Sequence, residues 1–141
     1  MSDLTSLIRV RKHAIEQKQK FLAELYRQAE EFKNQRDTLE TQLAIEMEKT
    51  KDMDATLLGF FGPYTEAVTL RIEDIDEDRK KLDKRITRAQ DDIRYAFAEL
   101  KKIEIIDDRR AAEELAELAK KEADILDEIA IDQFQRQQEG E

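Results

Sequence analysis

Apolar side chains recur at alternating steps of three and four residues along most of the chain, which is the heptad pattern of coiled-coil helices. In the first part of the chain this stripe consists of Ile8, Ile15, Leu22, Leu25, Ala29, Phe32, Leu39, Leu43, Met53 and Leu57. In the second part it consists of Val68, Ile72, Ile75, Leu82, Ile86, Ala89, Ile93, Ala96, Leu100 and Ile103, and after a four-residue stutter it resumes at Ala111, Leu115, Leu118, Ile125 and Ile129. So narrow a stripe predicts a seam between helices, not the interior of a globular domain.

One short segment interrupts the pattern. Of the three glycines and one proline in the chain, Gly59, Gly62 and Pro63 lie close together. Glycine is favoured where a helix ends and proline where one begins, so we predict one helix over about 3–57, a turn over about 58–63 and a second helix over about 64–136, followed by a frayed tail. The predicted fold is all-α, a single domain over 1–141 in which two long helices form an antiparallel coiled-coil hairpin.

The position of the turn fixes which residues face each other. With a turn centred near Phe61, the numbers of facing residues add to about 122, which places Leu22 opposite Leu100 and Phe32 opposite Ala89. Apolar residues then meet apolar residues along the seam. The second helix has no partner from about Lys120 onward, so we expect it to overhang the first at the open end.

Composition and charge exclude several classes of protein. With 42% charged residues, 6% aromatic residues and no tryptophan, the chain cannot build the deep apolar interior that normally shapes a catalytic cleft. A net charge of −9 argues against a nucleic-acid partner, because phosphate binding depends on Lys and Arg. The chain has no cysteine and no apolar run long enough to cross a bilayer, which predicts a cytoplasmic protein without direct membrane insertion.

Candidate chemistry is sparse. His13 is the only histidine, so no His pair can hold a metal, and the sequence contains neither a Gly-rich phosphate loop nor a Ser nucleophile elbow. The acidic residues between Glu73 and Asp78 encircle a helix and do not converge on one point. We therefore expect no catalytic residue, no metal site, no cofactor and no enzymatic activity.

Two groups of apolar residues are not explained by the seam. Leu57, Leu58, Phe60 and Phe61 crowd the predicted turn, where they either cap the seam or contact a partner. On the predicted overhang, Ile125, Ile129 and Phe134 continue an apolar stripe, with Leu126 beside it, where no helix of the same chain is left to cover these side chains. An amphipathic helix without an internal partner indicates a partner in another molecule.

Runs of residues near both ends resemble a known family. They are Leu4, Leu7, Ile8, Arg9, Val10, Arg11 and Lys12 with Glu16, Lys18 and Leu22, and then Lys120-Lys121-Glu122, Leu126-Asp127-Glu128-Ile129-Ala130 and Phe134. In these runs the chain resembles the FliJ family of the bacterial flagellar type III export apparatus. The resemblance covers the chain end to end, and the Leu-Asp-Glu-hydrophobic-Ala run is its most specific part.

The resemblance implies a non-catalytic stalk protein. Members resemble the central stalk of rotary ATPases: their joined terminal ends insert into the hexameric ring of the export ATPase, another face contacts the membrane export gate protein, and they escort export chaperones. It implies a cytoplasmic location, peripheral at the cytoplasmic face of the export apparatus. The residues expected at the ATPase ring are Ile125, Leu126, Asp127, Glu128, Ile129 and Phe134. The surface expected to face the gate comprises Leu57, Phe60, Phe61, Tyr64, Ala67, Arg71, Asp74 and Asp78.

Other interpretations remain open. The equivalent stalk protein of a virulence-type III secretion system would share these features, and a self-associating structural coiled coil would share the seam. A prefoldin-like chaperone subunit also has two long helices, but its connecting strands have no counterpart in the short span from Gly59 to Tyr64.

Overall fold

The computed structural model describes residues 3–140 and is built from two helices, α1 (Asp3–Thr50) and α2 (Ala55–Glu139). The protein is 96% helical, with no strand among the described residues, and the helices pack against each other as a hairpin. The predicted all-α hairpin is therefore confirmed. Neither helix is stabilised by propensity alone, because each depends on packing of its apolar stripe.

The turn lies at 51–54, seven residues before its predicted start at about 58, so the predicted helix boundaries near the turn were wrong. The last turn of α1 is closed by the hydroxyl of Thr50, which donates to the carbonyl oxygen of Met47 at 2.6 Å. Asp54 then caps α2: its carboxylate oxygen Oδ1 accepts the backbone N–H of Leu57 at 3.0 Å, three residues on. An aspartate cap, and not a glycine or proline, thus starts the second helix.

The segment that suggested a turn is helical. Gly59, Gly62 and Pro63 all lie inside α2, and no described glycine has a positive φ. Glycine ends a helix only where the backbone needs the left-handed conformation, so these glycines do not act as helix ends. Pro63 removes one backbone hydrogen bond from the helix interior.

The chain divides into two compact units, and the larger is a hairpin made of residues 13–96. Its core is the cluster of Leu25, Leu82 and Ala89, all buried. Four half-buried residues pack against that cluster, namely Leu22, Ala29, Phe32 and Ile86. The other buried side chains of this unit are Ile15, Val68 and Ile75. All these residues belong to the stripe derived from the sequence, so the predicted faces of both helices are confirmed.

The register of this hairpin differs from the predicted one. Lys18 Nζ lies 2.6 Å from Asp92 Oδ2, Gln90 Nε2 donates to the Tyr26 hydroxyl at 2.7 Å, and Arg36 Nε lies 2.8 Å from Asp76 Oδ1. The numbers of these facing residues add to between 110 and 116, not about 122. The predicted pairing of Phe32 with Ala89 and of Leu22 with Leu100 was therefore displaced, by about two to three helical turns, and the cause is the earlier turn.

The second unit joins the described residues of Met1–Lys12 to those of Phe97–Glu141. Leu100 is its buried residue, and Leu4, Ile8 and Ile103 are half-buried. From Asp108 to Gly140 every side chain is exposed. We call this stretch, residues 108–140, the overhang. It begins about twelve residues before the predicted start at Lys120, because a turn nearer the amino terminus leaves a longer part of α2 without a partner.

Candidate partner-binding surfaces

The overhang exposes a row of large apolar side chains on an unbroken helix. Leu126 is 65% exposed, and the three other apolar residues predicted at the ATPase ring, Ile125, Ile129 and Phe134, are about half exposed or more. Three further large apolar side chains of the overhang are also exposed, namely Leu115, Leu118 and Ile131, and so is Ile106 just before it. Apolar surface of this extent on one helix is typical of an interaction site.

Acidic side chains accompany this apolar surface. Residues 122–132 contain five carboxylates and no basic group, and Asp127 and Glu128 are exposed among them. Of the five, Asp132 has an ion pair, with Arg136 at 3.3 Å. The six residues predicted to meet an ATPase ring thus share one short exposed segment of α2, and the segment combines apolar with negative groups.

The second predicted surface starts at the amino-terminal end of α2. Phe60 is 72% exposed, and Leu57 and Leu58 are about half exposed, whereas Phe61 is half-buried. The rings of Phe61 and Tyr64 lie with their centroids 6.1 Å apart, tilted by 36°. Most of these side chains are therefore left uncovered by the hairpin, although the sequence had placed them on a turn and the structure places them on a helix.

The rest of this surface follows one side of α2. Tyr64, Ala67, Arg71, Asp74 and Asp78 recur at helical spacing and are all exposed. Arg71 also lines an open groove of 780 Å³ within the hairpin unit, together with Ile75 of α2. The structure thus brings the predicted gate-facing residues onto one helix and connects them to a groove.

The α1 side of this groove was missed by the sequence analysis. Its lining residues on α1 are mainly polar: Arg27, Glu30, Glu31, Asn34, Gln35, Thr38, Leu39 and Gln42. A signal was available, because these residues flank the seam positions Phe32 and Leu39. Side chains beside a seam line whatever groove the two helices leave, but the sequence does not show where that groove is widest.

His13 is exposed, and its Nδ1 lies 4.0 Å from Glu16 Oε2. Among residues 3–140 no group of three or more His, Cys, Asp or Glu side chains is placed to hold a metal ion. The pKa of the Glu24 carboxyl is lowered by hydrogen bonds from Arg27, an exposed pair on α1.

Neither helix of the described residues is both long enough and apolar enough to cross a bilayer.

Comparison with known proteins identifies one family. The family described as "FliJ: Flagellar FliJ protein" matches residues 1–139. No curated protein and no solved structure matches the chain. Because the family match covers nearly the whole sequence, it extends over both helices and the overhang, and it agrees with the two-helix fold. The chain belongs to the FliJ family, and is thus a flagellar export protein of the stalk type in a non-enzymatic, chaperone-related family.

Proposed function

We propose that this protein is a non-catalytic stalk of the flagellar type III export apparatus, acting at its cytoplasmic face, and that the overhang of α2 binds the hexameric export ATPase. The observation that supports this is the exposure of the whole overhang. Its apolar side chains lie on a continuous helix that no residue within 3–140 covers. A partner that buries several of them gains affinity from each, at about 1.5–3 kcal/mol for a fully buried large apolar residue.

The roles of the individual side chains follow from their chemistry. Ile125, Leu126, Ile129 and Phe134 enter apolar contacts with the ring. Asp127 and Glu128 meet basic groups of the ring, which fixes orientation and speeds association more than it adds affinity. Leu126 and Asp127 are neighbours on an exposed helix, so both kinds of contact occur in one docking event.

Binding alone is sufficient to stimulate an ATPase. A ligand that binds the assembled ring and not its free subunits stabilises the ring by mass action. A single rod in a six-fold ring contacts its subunits unequally, and this favours unequal conformations of the ATPase sites. The protein therefore activates hydrolysis without contributing a catalytic residue.

The exposed residues of α2 near the turn form a second docking surface in this proposal. Phe60, Tyr64 and Arg71 are exposed on α2, and Arg71 also lines the polar groove of the hairpin unit. We assign this surface to the membrane export gate protein. Export chaperones are further partners. The match to a flagellar family favours this interpretation over the stalk of a virulence-type system.

The test uses the overhang, since its side chains contribute little to folding. The double variant Leu126→Ser, Ile129→Ser should keep the circular dichroism spectrum of the native chain, because both residues are exposed. Loss of two buried apolar contacts costs a few kcal/mol of binding, so stimulation of ATP hydrolysis by the cognate export ATPase should require about a hundredfold more protein or disappear.

A matched control replaces residues of the same types outside the overhang. Ile45 and Leu70 are about as exposed as the tested pair, and the variant Ile45→Ser, Leu70→Ser should stimulate hydrolysis like the native chain. Full stimulation by the Leu126→Ser, Ile129→Ser variant would show that another surface of the protein contacts the ATPase. Equal loss in both variants would show a general effect of removing exposed apolar groups.

A further inference from the structure

A compact basic patch lies on α2 within the hairpin unit. Lys81, Lys84, Arg85 and Arg88 are spaced at i, i+3, i+4 and i+7, so they share one face of the helix. All four side chains are exposed, and none has an ion pair with any residue that the structure describes. The span 81–88 carries four basic groups and one acidic group, whereas the chain as a whole has a net charge of −9.

An apolar ring belongs to the same surface. Phe21 of α1 is 51% exposed and lines a groove of 360 Å³ with Arg85 and Arg88. Asp92, which also lines this groove, is already ion-paired with Lys18 at 2.6 Å. Asp83 of the same span lines a neighbouring groove with Lys84 and Arg88, but it forms no ion pair with a described residue. The span 81–88 thus keeps an excess of three positive charges, and beside it lies an uncovered aromatic side chain.

These features select the chemistry of a partner. A phosphate surface, whether nucleic acid or lipid, would meet the four cations, but the acidic remainder of the chain would be repelled and Phe21 would gain nothing from phosphate groups. An acidic helix that also carries apolar side chains satisfies both the cations and the ring. Charge complementarity of this kind determines which partner is chosen and in what orientation.

The overhang is such a helix. Asp124, Asp127 and Glu128 are spaced at i, i+3 and i+4, and Ile131 follows at i+7, so this acidic face repeats the spacing of the basic patch. We propose that the basic patch of one copy docks the acidic face of the overhang of a second copy, with Ile131 supplying apolar contact for Phe21. Both segments belong to the single helix α2, which cannot fold back on itself, so the contact joins two molecules.

Two arrangements of the contact are compatible with these surfaces. A contact made in one direction is heterologous and leaves a free patch and a free overhang at either end, whereas two antiparallel α2 helices pair both surfaces reciprocally in a closed dimer. In both arrangements association grows with concentration. The proposal does not rest on ATPase binding, although an overhang held by a second copy is unavailable to any other partner.

The experiment measures the mass of the full chain in solution by analytical ultracentrifugation over a concentration series. At about 0.01 M salt the average mass should rise steadily with concentration, and at about 1 M salt it should return to that of the monomer, because screening shortens the range of the charges about tenfold. The patch variant Lys84→Ala, Arg85→Ala, Arg88→Ala and the overhang variant Asp124→Ala, Asp127→Ala, Glu128→Ala should each need at least about tenfold higher concentration to associate.

The decisive experiment mixes the patch variant with the overhang variant. The patch variant keeps an intact overhang and the overhang variant keeps an intact patch, so an equimolar mixture should regain association and stop at a dimer. Alanine is a strong helix former, and an unchanged circular dichroism spectrum shows that both variants fold. The matched control Arg9→Ala, Arg11→Ala, Lys12→Ala removes the same charge from exposed positions of α1 and should associate like the native chain.

The proposal would be overturned by a native chain that stays monomeric at low salt, by a patch variant that associates as well as the native chain, or by a mixture that stays monomeric. Loss of association in the control as well would show that only total charge matters, and would also overturn it. Vesicles of phosphatidylglycerol provide the last arm. Binding to them by a monomeric native chain, lost in the patch variant, would assign the basic patch to anionic lipid instead.

Discussion

The hairpin unit and the overhang carry the same apolar stripe but use it in opposite ways. Within residues 13–96, Leu25 is 1% exposed in a cluster with Leu82 and Ala89. In the overhang, Leu126 is 65% exposed and every neighbour is exposed as well. The two regions have the same helical periodicity, so the pattern of a stripe does not reveal whether its partner is in the same chain.

This difference separates stability from function. A stripe that is covered within the hairpin stabilises the fold, and its residues are chosen for volume and fit. A stripe that is left uncovered contributes nothing to the fold of the isolated chain. It is exposed apolar surface that promotes aggregation unless a partner binds it. Substitutions in the two regions should therefore have opposite profiles, with stability affected in one and association in the other.

The largest expected effect is at Leu25. Replacing Leu25 by Ala removes a buried side chain from the cluster with Leu82 and Ala89, and should lower the free energy of unfolding by about 2–5 kcal/mol. The same replacement at Leu126 should change it by less than about 0.5 kcal/mol, because the side chain is exposed. Urea denaturation followed by circular dichroism measures both. A comparable loss in the two variants would mean that the overhang is covered in solution.

The second effect concerns the turn, which decides where the overhang begins. Asp54→Ala removes the cap of α2 and should destabilise the protein by about 1 kcal/mol. Gly59→Ala and Gly62→Ala should each stabilise it by about 0.5–1 kcal/mol, since both glycines are helical and a Cβ atom at either meets nothing within 4 Å. Thermal unfolding distinguishes the signs. If both Gly→Ala changes destabilised the protein and Asp54→Ala had no effect, the turn would lie at Gly59–Pro63 as predicted from the sequence.

Much of the fold could be predicted from the sequence because the heptad period is strong. Every buried side chain among the described residues, including Ile15, Val68 and Leu100, belongs to the predicted stripe. The register could not be predicted in the same way. The observed register differs from the predicted one by about two to three helical turns along the same stripe. Apolar residues meet apolar residues in either register, and only the turn distinguishes them.

The predicted turn was misplaced because the prediction followed Gly59, Gly62 and Pro63 and not the capping residue Asp54. Asp54 precedes Leu57 and Leu58 in the order expected of a helix start, and this signal was present in the sequence. Leu57 was assigned to the first stripe for the same reason, and it is exposed on α2. The error of placement then carried over to the predicted start of the overhang.

The candidate surfaces were predictable to different degrees. The apolar residues of the overhang follow from the stripe. They were expected to be uncovered with the predicted turn, and they are uncovered with the observed turn as well. The residues beside the groove, such as Gln35 and Thr38, could not be selected, because a groove depends on the distance between two helices and not on the spacing within one. The residues that bind partners remain a prediction in both cases.

The smallest effect is electrostatic and lies on the exposed side of the hairpin. Arg27 Nε donates to Glu24 Oε2 at 2.9 Å, and this hydrogen bond is the main reason that the pKa of Glu24 is lowered from its ordinary value of 4.5. A carboxyl whose pKa is lower in the folded state stabilises the fold above its unfolded pKa, and this contribution is lost as the pH falls through the folded pKa. Because the pair is exposed, the contribution to stability is small.

Side-chain NMR titration should show the pKa of Glu24 rising in Arg27→Gln. The control Arg94→Gln breaks the equivalent pair with Asp91 and should leave the pKa of Glu24 unchanged. A Glu24 titration that does not respond to Arg27→Gln would show that the pair does not persist in solution.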